Sequence, residues 1–456
     1  MNFKLDESRT VRRSLAPVAV GTALVLITYV TPMATLPGTA ADLAAGPAAR
    51  AWMLSSMSVG LAGTLLVAGV LGDNNGRRRV YLTGLSALAI GAALCAAAQE
   101  PVLFVSARVL EGAGGAAVLA CGLATLAHDY PGGRARLHAT SVWGASVGVG
   151  ISLGAVLSTV FDDLWRESYA LVGILAVLLL APTIRWMSES RAAARRRIDL
   201  PGLVLFVAAM VLFVAALTQG RDGMDVTSVV LAVAAVVSLI GFALVITKVK
   251  FPLVDPELLR HSRFRSATAG SFTLGAGIIG MTSFVPTVSQ LGLGTGLWVA
   301  SLLVVAWSGI SVLTSYLVRH LRHPMEGPRP VAVLLCVVAF GQVLAYGLDT
   351  DSGPWRLVGP LAVAGLATGM LNALLGREAV ASVSPDRAAM GSGANNTARY
   401  LGAAVGITLF VVIATHAGAD LVAGWNVAVL VSAAVTLLGA AVVALAGRRG
   451  ADSRRQ

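Results

Sequence analysis

Long apolar runs repeat along almost the whole chain, and only short polar segments separate them. A run of about 20 apolar residues is long enough to cross a lipid bilayer as an α-helix. Fourteen such runs can be placed in the 456 residues, which predicts an all-α membrane protein with 14 transmembrane helices. Their predicted limits are 14–36, 51–71, 80–98, 102–127, 138–160, 168–187, 200–218, 227–247, 266–290, 295–318, 330–347, 356–382, 390–415 and 425–446.

The composition excludes the soluble classes. Hydrophobic residues make up 56% of the chain and charged residues 12%, against about 25% charged residues in ordinary globular domains. The net charge of +11 is spread over short segments between the runs, so no nucleic-acid partner is expected. The three cysteines lie in apolar runs without paired spacing, which argues against a metal site, and no cofactor is expected.

The basic residues predict how the chain is oriented. If both termini lie in the cytoplasm, 28 of the 34 Lys and Arg residues fall in cytoplasmic segments, and only Arg50, Arg166, Arg221 and Arg356 fall in outer loops. Such an excess on one side is typical of the cytoplasmic face. Arginine far outnumbers lysine, as in proteins from GC-rich bacterial genomes. We therefore expect a multi-pass protein of a bacterial cytoplasmic membrane in which the first run is retained, because it is too long for a signal peptide core.

Two longer cytoplasmic segments divide the runs into groups of six, two and six. The predicted domains are a six-helix bundle at 1–190, an inserted two-helix hairpin with its flanking linkers at 191–250, and a second six-helix bundle at 251–456. Glycine-rich stretches recur in the fifth helix of each predicted bundle, and internal repeats of this kind are typical of alternating-access transporters.

A polar turn between the second and third runs contains Gly69, Asp73, Gly76, Arg77 and Arg78. This turn resembles the signature loop of the major facilitator superfamily. The likeness implies that Asp73 meets the N-terminal end of a neighbouring helix or an arginine, and that this contact joins the two bundles at the cytoplasmic side and opens during transport. The alternative is a solvated loop whose arginines only orient the chain.

Three further stretches extend the resemblance over nearly the whole chain. They are Ser106–Gly114 in the fourth run, Trp143–Gly154 in the fifth run with Trp165 and Arg166 beyond it, and Ser384–Arg399 before and within the thirteenth run. With the six-two-six plan, they make the chain similar to the fourteen-helix drug:proton antiporter branch of that superfamily. The resemblance implies export of a small amphipathic drug, antibiotic or metabolite by proton antiport through alternating access, as in antibiotic resistance by efflux. We expect a monomer whose partners are this substrate, protons and membrane lipid.

The chain departs from the family pattern at three positions. Thr28 stands where the branch has an acid, Asn74 where it has a basic residue, and Ala155 where it has a proline. These departures leave open a uniporter or importer of a metabolite with weak or no proton coupling. A membrane sensor or anchor that does not transport is the other alternative, although no large extramembrane segment is present to carry a signal.

Arg108 and Glu111 are the candidates for proton coupling. They are three residues apart and therefore share a helix face in the middle of a predicted span. Charges at this depth are costly and usually face a cavity or a partner. Burial disfavours the carboxylate and the arginine favours it, so the two effects compete in the way that a proton-coupled site needs. A self-neutralising structural pair is the alternative.

The substrate cavity is predicted to be apolar with few fixed charges, which suits amphipathic organic compounds. Arg399, with Asn395 and Asn396 one turn earlier, forms a polar cluster in the thirteenth run, although Arg399 could instead extend to the membrane surface. The other predicted lining residues are Tyr29, Met33, Trp143, Phe284, Gln290, Trp307 and Asn372.

The glycines of the fifth run are Gly144, Gly148, Gly150 and Gly154. Part of this stretch matches the pattern G-x-S-x-G of serine hydrolases, but that motif needs a strand-turn-helix elbow. Small residues allow close helix packing in lipid, which explains the glycines better. No enzymatic activity is expected.

Overall fold

The computed structural model describes residues 13–452 except 162, 194–197, 224, 250, 254–256, 259–260, 322–324 and 418–419. All regular structure in this part of the chain is helical. Seven helices precede the segment that the sequence analysis treats as a linker. They are α1 (Leu15–Val30), α2 (Pro32–Asp42), α3 (Pro47–Asn75), α4 (Arg77–Ala97), α5 (Pro101–Asp129), α6 (Gly133–Val160) and α7 (Trp165–Trp186).

Two helices then form a hairpin, α8 (Leu200–Gln219) and α9 (Val226–Lys248). Seven more follow. They are α10 (Ser262–Leu274), α11 (Gly280–Thr287), α12 (Leu297–Leu317), α13 (Pro328–Leu344), α14 (Val358–Ala381), α15 (Ala388–His416) and α16 (Leu421–Asp452). The π-helical turn Gly275–Ile279 joins α10 to α11, and a second, Val288–Gly292, extends this continuous helix beyond α11.

Among the described residues, twelve helices are long and apolar enough to cross a membrane, or thirteen if the bent pair α1 and α2 is one span. This range is below the predicted fourteen because α13 has only 17 residues, where the sequence suggested 330–347. At about 1.5 Å per residue, α13 is about 25 Å long, which is less than the roughly 30 Å of a hydrocarbon core. It ends early because the chain turns at Gly347, whose φ is +79°.

The first predicted span is not one straight helix. The axis bends by 61° between α1 and the part of α2 that runs from Thr35 to Asp42. Pro32 begins α2, and proline lacks the N–H that would continue the hydrogen-bond pattern of α1. The break lies next to Tyr29, a predicted cavity residue.

The cores of the two halves meet each other. One buried cluster takes its members from Leu274 to Val443. The largest cluster of the first half runs from Val18 to Met187 and also includes residues of the second half, among them Ala389 and Tyr400. A third cluster joins the hairpin to α3, since Phe206 and Met210 of α8 pack with Val59 and Leu66. The hairpin therefore lies against α3, beside the boundary between the two halves.

Candidate functional site

The turn between α3 and α4 has room only for glycine. Gly76 adopts φ +114°, a conformation that other residues rarely adopt. A Cβ atom at this position would lie 2.8 Å from an oxygen of the Glu189 carboxylate. The tight turn places Asp73, in the last turn of α3, next to Arg77, in the first turn of α4. We call this end of the molecule the Asp73 end.

Asp73 contacts the other half of the molecule through the N-terminus of α15. Its Oδ1 accepts a hydrogen bond from the Ala389 backbone N–H at 3.1 Å, and its Oδ2 accepts one from the Met390 N–H at 2.8 Å. Such N–H groups have no partner within their own helix, and the helix dipole favours a negative charge there. Asp73 is only 5% exposed. The Asp73 carboxylate of the first half thus caps the N-terminus of a helix of the second half.

Arg77 adds to the same contact. Its Nη2 donates to Asp73 Oδ1 at 2.7 Å and to the Pro385 carbonyl, which lies in the second half, also at 2.7 Å. Arg78 lies to one side, where its backbone N–H donates to Glu189 at 3.1 Å. At Gly69 an added Cβ would lie 2.3 Å from the Ala389 carbonyl oxygen. The halves are therefore closely packed at the Asp73 end.

Arg108 and Glu111 form an ion pair inside the first half. The Arg108 Nη1 lies 2.7 Å from Glu111 Oε2 and also donates to the Thr28 carbonyl at 2.9 Å. Both side chains are fully buried. The Thr28 hydroxyl donates to the Leu24 carbonyl of its own helix, so this residue offers the arginine only a backbone oxygen in place of the acid found in the resembling branch.

The surroundings of Glu111 are the interior of the first half. An added Cβ at Gly91 of α4 would lie 2.6 Å from the Glu111 Cγ, and the Cys95 thiol lies 3.9 Å from Oε2. Glu111 Oε1 and Arg108 Nε are buried without a hydrogen-bond partner among the described residues. Neither residue belongs to the wall of the two cavities described next. The Arg108 bond to the Thr28 carbonyl connects this pair to α1, whose next residue, Tyr29, lines both cavities.

A cavity lies between the two halves, and we call it the central cavity. Its empty volume is about 950 Å³, including the part open to solvent. Four of the predicted lining residues, Tyr29, Trp307, Asn372 and Arg399, belong to its wall. The rest of the wall is mostly apolar, with a few hydroxyl groups. It consists of Leu26, Val30, Val147, Ile151, Ala155, Ser158, Leu274, Ile279, Thr282, Ser283, Pro286, Leu297, Ser301, Val304, Thr368 and Tyr400.

A second cavity, the side cavity, lies beside the first and has an empty volume of about 1210 Å³. Tyr29 and Ser283 belong to the walls of both cavities. Phe284, another predicted lining residue, faces the side cavity. The hairpin also contributes to this wall, through Val214, Leu217 and Thr218 of α8 and through Arg221.

Four predicted lining residues are not brought to either wall. Trp143 is completely buried because its ring packs against Gly376, where an added Cβ would lie 2.8 Å from it. Asn395 instead accepts a hydrogen bond from the Ser271 hydroxyl at 2.7 Å, and Asn396 donates to the Ser392 carbonyl of its own helix. Gln290 likewise donates to its own helix, at the Pro286 carbonyl. The side chain of Met33 lies outside the described residues.

The sequence analysis did not predict several residues of the cavity walls. Tyr400 follows Arg399 directly and its ring packs edge-on against Tyr29, with centroids 5.6 Å apart. Thr282 and Ser283 come after the π-helical turn Gly275–Ile279, which changes the face that the following residues present. Such π-turns are frequent at functional sites, but this one lies against α15 at Gly275, and the sequence pattern does not indicate it. No sequence signal places Arg221, a residue predicted for an outer loop, in a cavity wall.

The four glycines of α6 serve two different contacts. At Gly144 and Gly148 an added Cβ would meet atoms of Ser315 and Ser308 in α12, at 2.5 and 2.9 Å. At Gly150 and Gly154 it would meet α1 instead, at 2.4 Å from the Ala23 carbonyl oxygen and 3.0 Å from Val30. Helix α6 therefore packs closely both on its own half and on the opposite half.

Within the described residues no group of three or more His, Cys, Asp or Glu side chains could hold a metal ion. The side chains at the two cavities are suited to binding an organic molecule by apolar contact and a few hydrogen bonds.

Comparison with known proteins identifies relatives over most of the chain. Residues 18–407 match the family model described as Major Facilitator Superfamily. The chain is 28% identical over 389 residues to a "Probable actinorhodin transporter" of Streptomyces coelicolor, which covers 82% of this chain and 67% of that protein. It is 28% identical over 428 residues to the "Cephamycin export protein CmcT" of Amycolatopsis lactamdurans, which covers 89% of this chain and 86% of that one.

A solved structure has the same fold. The crystal structure of the human organic anion transporter MFSD10 aligns with a TM-score of 0.70 over 95% of this chain and 99% of its own. The two sequences are 16% identical, so this likeness concerns the fold alone.

Proposed function

The chain belongs to the Major Facilitator Superfamily, and we propose that it exports a small amphipathic organic compound from a bacterial cell by proton antiport. It is a multi-pass membrane transporter, not an enzyme. The observation that carries the proposal is the central cavity, which lies between the two halves and has a mostly apolar wall. Export proteins for antibiotics among its relatives support the direction of transport.

We propose that the Asp73 end faces the cytoplasm and that both termini lie there. The excess of arginine in the loops at this end supports that orientation. Fourteen spans then require that α1 with α2 cross once and that α13 cross despite its 17 residues. A short span can be accommodated by local thinning of the bilayer.

The described conformation corresponds to closure on the cytoplasmic side. The Asp73 contact and the close approach at Gly69 join the halves there, as does the hydrogen bond from the Ser315 hydroxyl to the Ser141 carbonyl at 3.1 Å. Near the middle of these helices, α6 and α12 also join the halves, through Ser152 and Ser308 at 2.7 Å. Alternating access would open the first set of contacts and close the cavity from the outside.

Proton coupling would act through α1. Arg108 holds both Glu111 and the Thr28 carbonyl, and Tyr29 and Val30 of the next positions form part of the cavity wall. Protonation of Glu111 removes the negative charge that holds the guanidinium in place. We propose that the arginine then shifts against α1, next to the break at Thr31, and so changes the cavity. Since the arginine would be left as a buried charge without its partner, loss of the Glu111 charge costs roughly 3–5 kcal/mol unless the arginine moves.

Reconstituted liposomes test this function. Purified protein is placed in vesicles with an imposed pH gradient, and the uptake of a panel of antibiotics and other amphipathic compounds is measured. Accumulation above equilibrium that collapses when a protonophore is added is the expected result. Liposomes without protein are the control.

The same experiment distinguishes the alternative of a uniporter. Transport that only equilibrates the compound and ignores the pH gradient would identify uniport, which the missing acid at Thr28 favours. If no compound crosses faster than in empty liposomes, the export proposal is wrong.

A further inference from the structure

We propose that the central cavity binds an organic anion and that Arg399 is the group that receives its negative charge. This proposal rests on the proposed transport function, because it names the class of substrate. Arg399 belongs to the cavity wall and is only 4% exposed. Its Nε and Nη2 are buried without a hydrogen-bond partner in the described part of the chain. The guanidinium therefore lacks the partners that a buried charge normally has.

The missing partner is an acid. Neither cavity has an aspartate or glutamate in its wall among the described residues. The buried arginine of the first half is different, because Glu111 lies 2.7 Å from the Arg108 guanidinium. One half thus supplies its own counter-ion, whereas the other half leaves its arginine uncompensated next to an open space.

An uncompensated arginine at this depth is costly by about 2.5 kcal/mol or more on insertion scales. A buried arginine without a partner is commonly retained for a function, and a ligand that carries one negative charge would offset that cost when it binds. The forked guanidinium suits a carboxylate or sulfonate, which can accept two parallel hydrogen bonds, and it can also pair with a phenolate oxygen.

The rest of the cavity wall indicates what the uncharged part of the substrate is like. The rings of Tyr29 and Tyr400 pack edge-on against each other, and Trp307 belongs to the same cavity wall, with its Nε1 donating to the Thr368 hydroxyl at 3.4 Å. Aromatic walls with few hydroxyl groups suit a flat apolar body. The expected substrate is an aromatic or polycyclic organic acid, and lipophilic cations are expected to be excluded.

The inserted hairpin adds a second positive charge beside this site. Arg221, just after α8, belongs to the wall of the side cavity, and its Nε donates to the Thr408 hydroxyl of α15 at 3.3 Å. Tyr29 and Ser283 belong to the walls of both cavities. Two arginines in neighbouring cavity walls favour anions over cations there. This would give the hairpin a role in substrate selection.

A matched set of fluorescent probes tests the proposal by direct binding. The set is 1-pyrenebutyrate, 1-pyrenebutanol and 1-pyrenebutylamine, which differ only in the charge of one group. Binding to the full chain in lipid nanodiscs is measured by fluorescence anisotropy, with empty nanodiscs subtracted. The wild-type chain is expected to bind the anion about tenfold or more tightly than the amine, since hydrogen bonds to charged groups are the strong ones.

The variant Arg399→Gln should lose this preference by weakening binding of the anion about tenfold, while binding of the alcohol stays within about twofold. Arg399→Lys keeps the charge and should keep much of the preference. Arg356→Gln is the matched control, because this arginine is exposed in the turn before α14. If the variants do not fold, the affinities of the wild-type chain for the anion and for the amine still test the proposed preference for anions.

Equal or tighter binding of the amine by the wild-type chain would overturn the proposal, as would unchanged binding of the anion by Arg399→Gln. This failure differs from a failure of the export function. A chain that transports a neutral or cationic compound in liposomes remains an exporter without an anion site. A chain that binds the pyrene anion through Arg399 but transports nothing has the anion site without the export function.

Discussion

At the residue scale, the sequence located the buried charges and the partners that lie close in the chain, but not the partners that lie far away in the chain. The spacing of Arg108 and Glu111 predicted a shared helix face, and the structure has them 2.7 Å apart. Residues three positions apart in one helix are neighbours whatever the rest of the fold, so this contact could be predicted from the sequence. The bond from Arg108 to the Thr28 carbonyl joins residues 80 positions apart, and the pattern of one chain does not reveal which helices will be neighbours.

The first residue-scale prediction concerns Glu111. Glu111→Gln keeps the size of the side chain but removes the titrating group, so pH-driven accumulation should fall to the level of empty liposomes. Substrate binding should remain measurable because Glu111 is not in the wall of either cavity. Glu100→Gln, at an exposed position, is the control and should transport normally. Full pH-driven transport by Glu111→Gln would rule out this residue as the proton carrier.

The second concerns Asp73. Asp73→Asn weakens the cap on α15, and a carboxylate in a partly buried position at a helix N-terminus contributes up to about 2 kcal/mol. We expect roughly a tenfold shift toward the state that is open at the Asp73 end. Cys121 is a native reporter, since it is buried there with its Sγ 3.7 Å from the Ala68 carbonyl.

In a chain with Cys95 and Cys336 replaced by alanine, Asp73→Asn should make Cys121 react faster with a thiol reagent. Asp163→Asn at an exposed loop position is the control. An unchanged labelling rate would mean that Asp73 caps α15 in both states and does not control opening.

At the element scale, apolar runs predicted the positions of the helices well, because length and hydrophobicity decide whether a segment crosses a bilayer. The finer geometry was not predictable in the same way. The bend between α1 and α2 and the π-turn at Gly275–Ile279 depend on contacts with other helices. At Gly275, for example, an added Cβ would lie 2.1 Å from the Arg399 carbonyl oxygen of α15.

The element-scale prediction concerns α6. This helix runs unbroken from Gly133 to Val160, and Ala155 in its last turns belongs to the cavity wall. The resembling antiporters have a proline here, and we expect that its absence allows protons to leak without substrate. Ala155→Pro should reduce that leak, at a cost to stability of about 3 kcal/mol or more.

The leak is measured as the decay of a pH gradient in proteoliposomes without substrate. Ala155→Ser is the control, because it changes the side chain and leaves the backbone donor in place. A leak already near zero in the unmodified protein would show that other residues seal α6 against its neighbours, and the argument from the missing proline would fail.

At the scale of the whole molecule, the sequence indicated a transporter of the Major Facilitator Superfamily, and the family match confirms it. It did not reveal the packing between the halves, and hence the wall of the cavity. Trp143 shows why the cavity wall could not be predicted. The same local sequence allows a tryptophan in a span either to face a cavity or to pack against a glycine, and Trp143 packs against Gly376. The partition into six, two and six helices stays a prediction.

The whole-molecule prediction tests whether the two halves move as units about the central cavity. At Gly393 of α15 an added Cβ would lie 2.4 Å from the Leu65 carbonyl oxygen of α3. Gly393→Val should therefore act as a wedge at the Asp73 end, and overpacking of this kind costs roughly 1–3 kcal/mol. Because that cost falls on the closed conformation, the population should shift toward the conformation that is open at this end.

Spin labels at exposed positions report the movement at both ends of the molecule. In a chain without native cysteines, the distance between labels at Arg134 and Arg329, at the Asp73 end, should increase in Gly393→Val. The distance between labels at Asp163 and Asp351, at the opposite end, should decrease, since rigid halves that separate on one side approach each other on the other. Gly359→Val is the control, because nothing lies within 4 Å of an added Cβ there. An increase at the Asp73 end with no change at the opposite end would mean that α15 bends locally and that the halves do not rock as units.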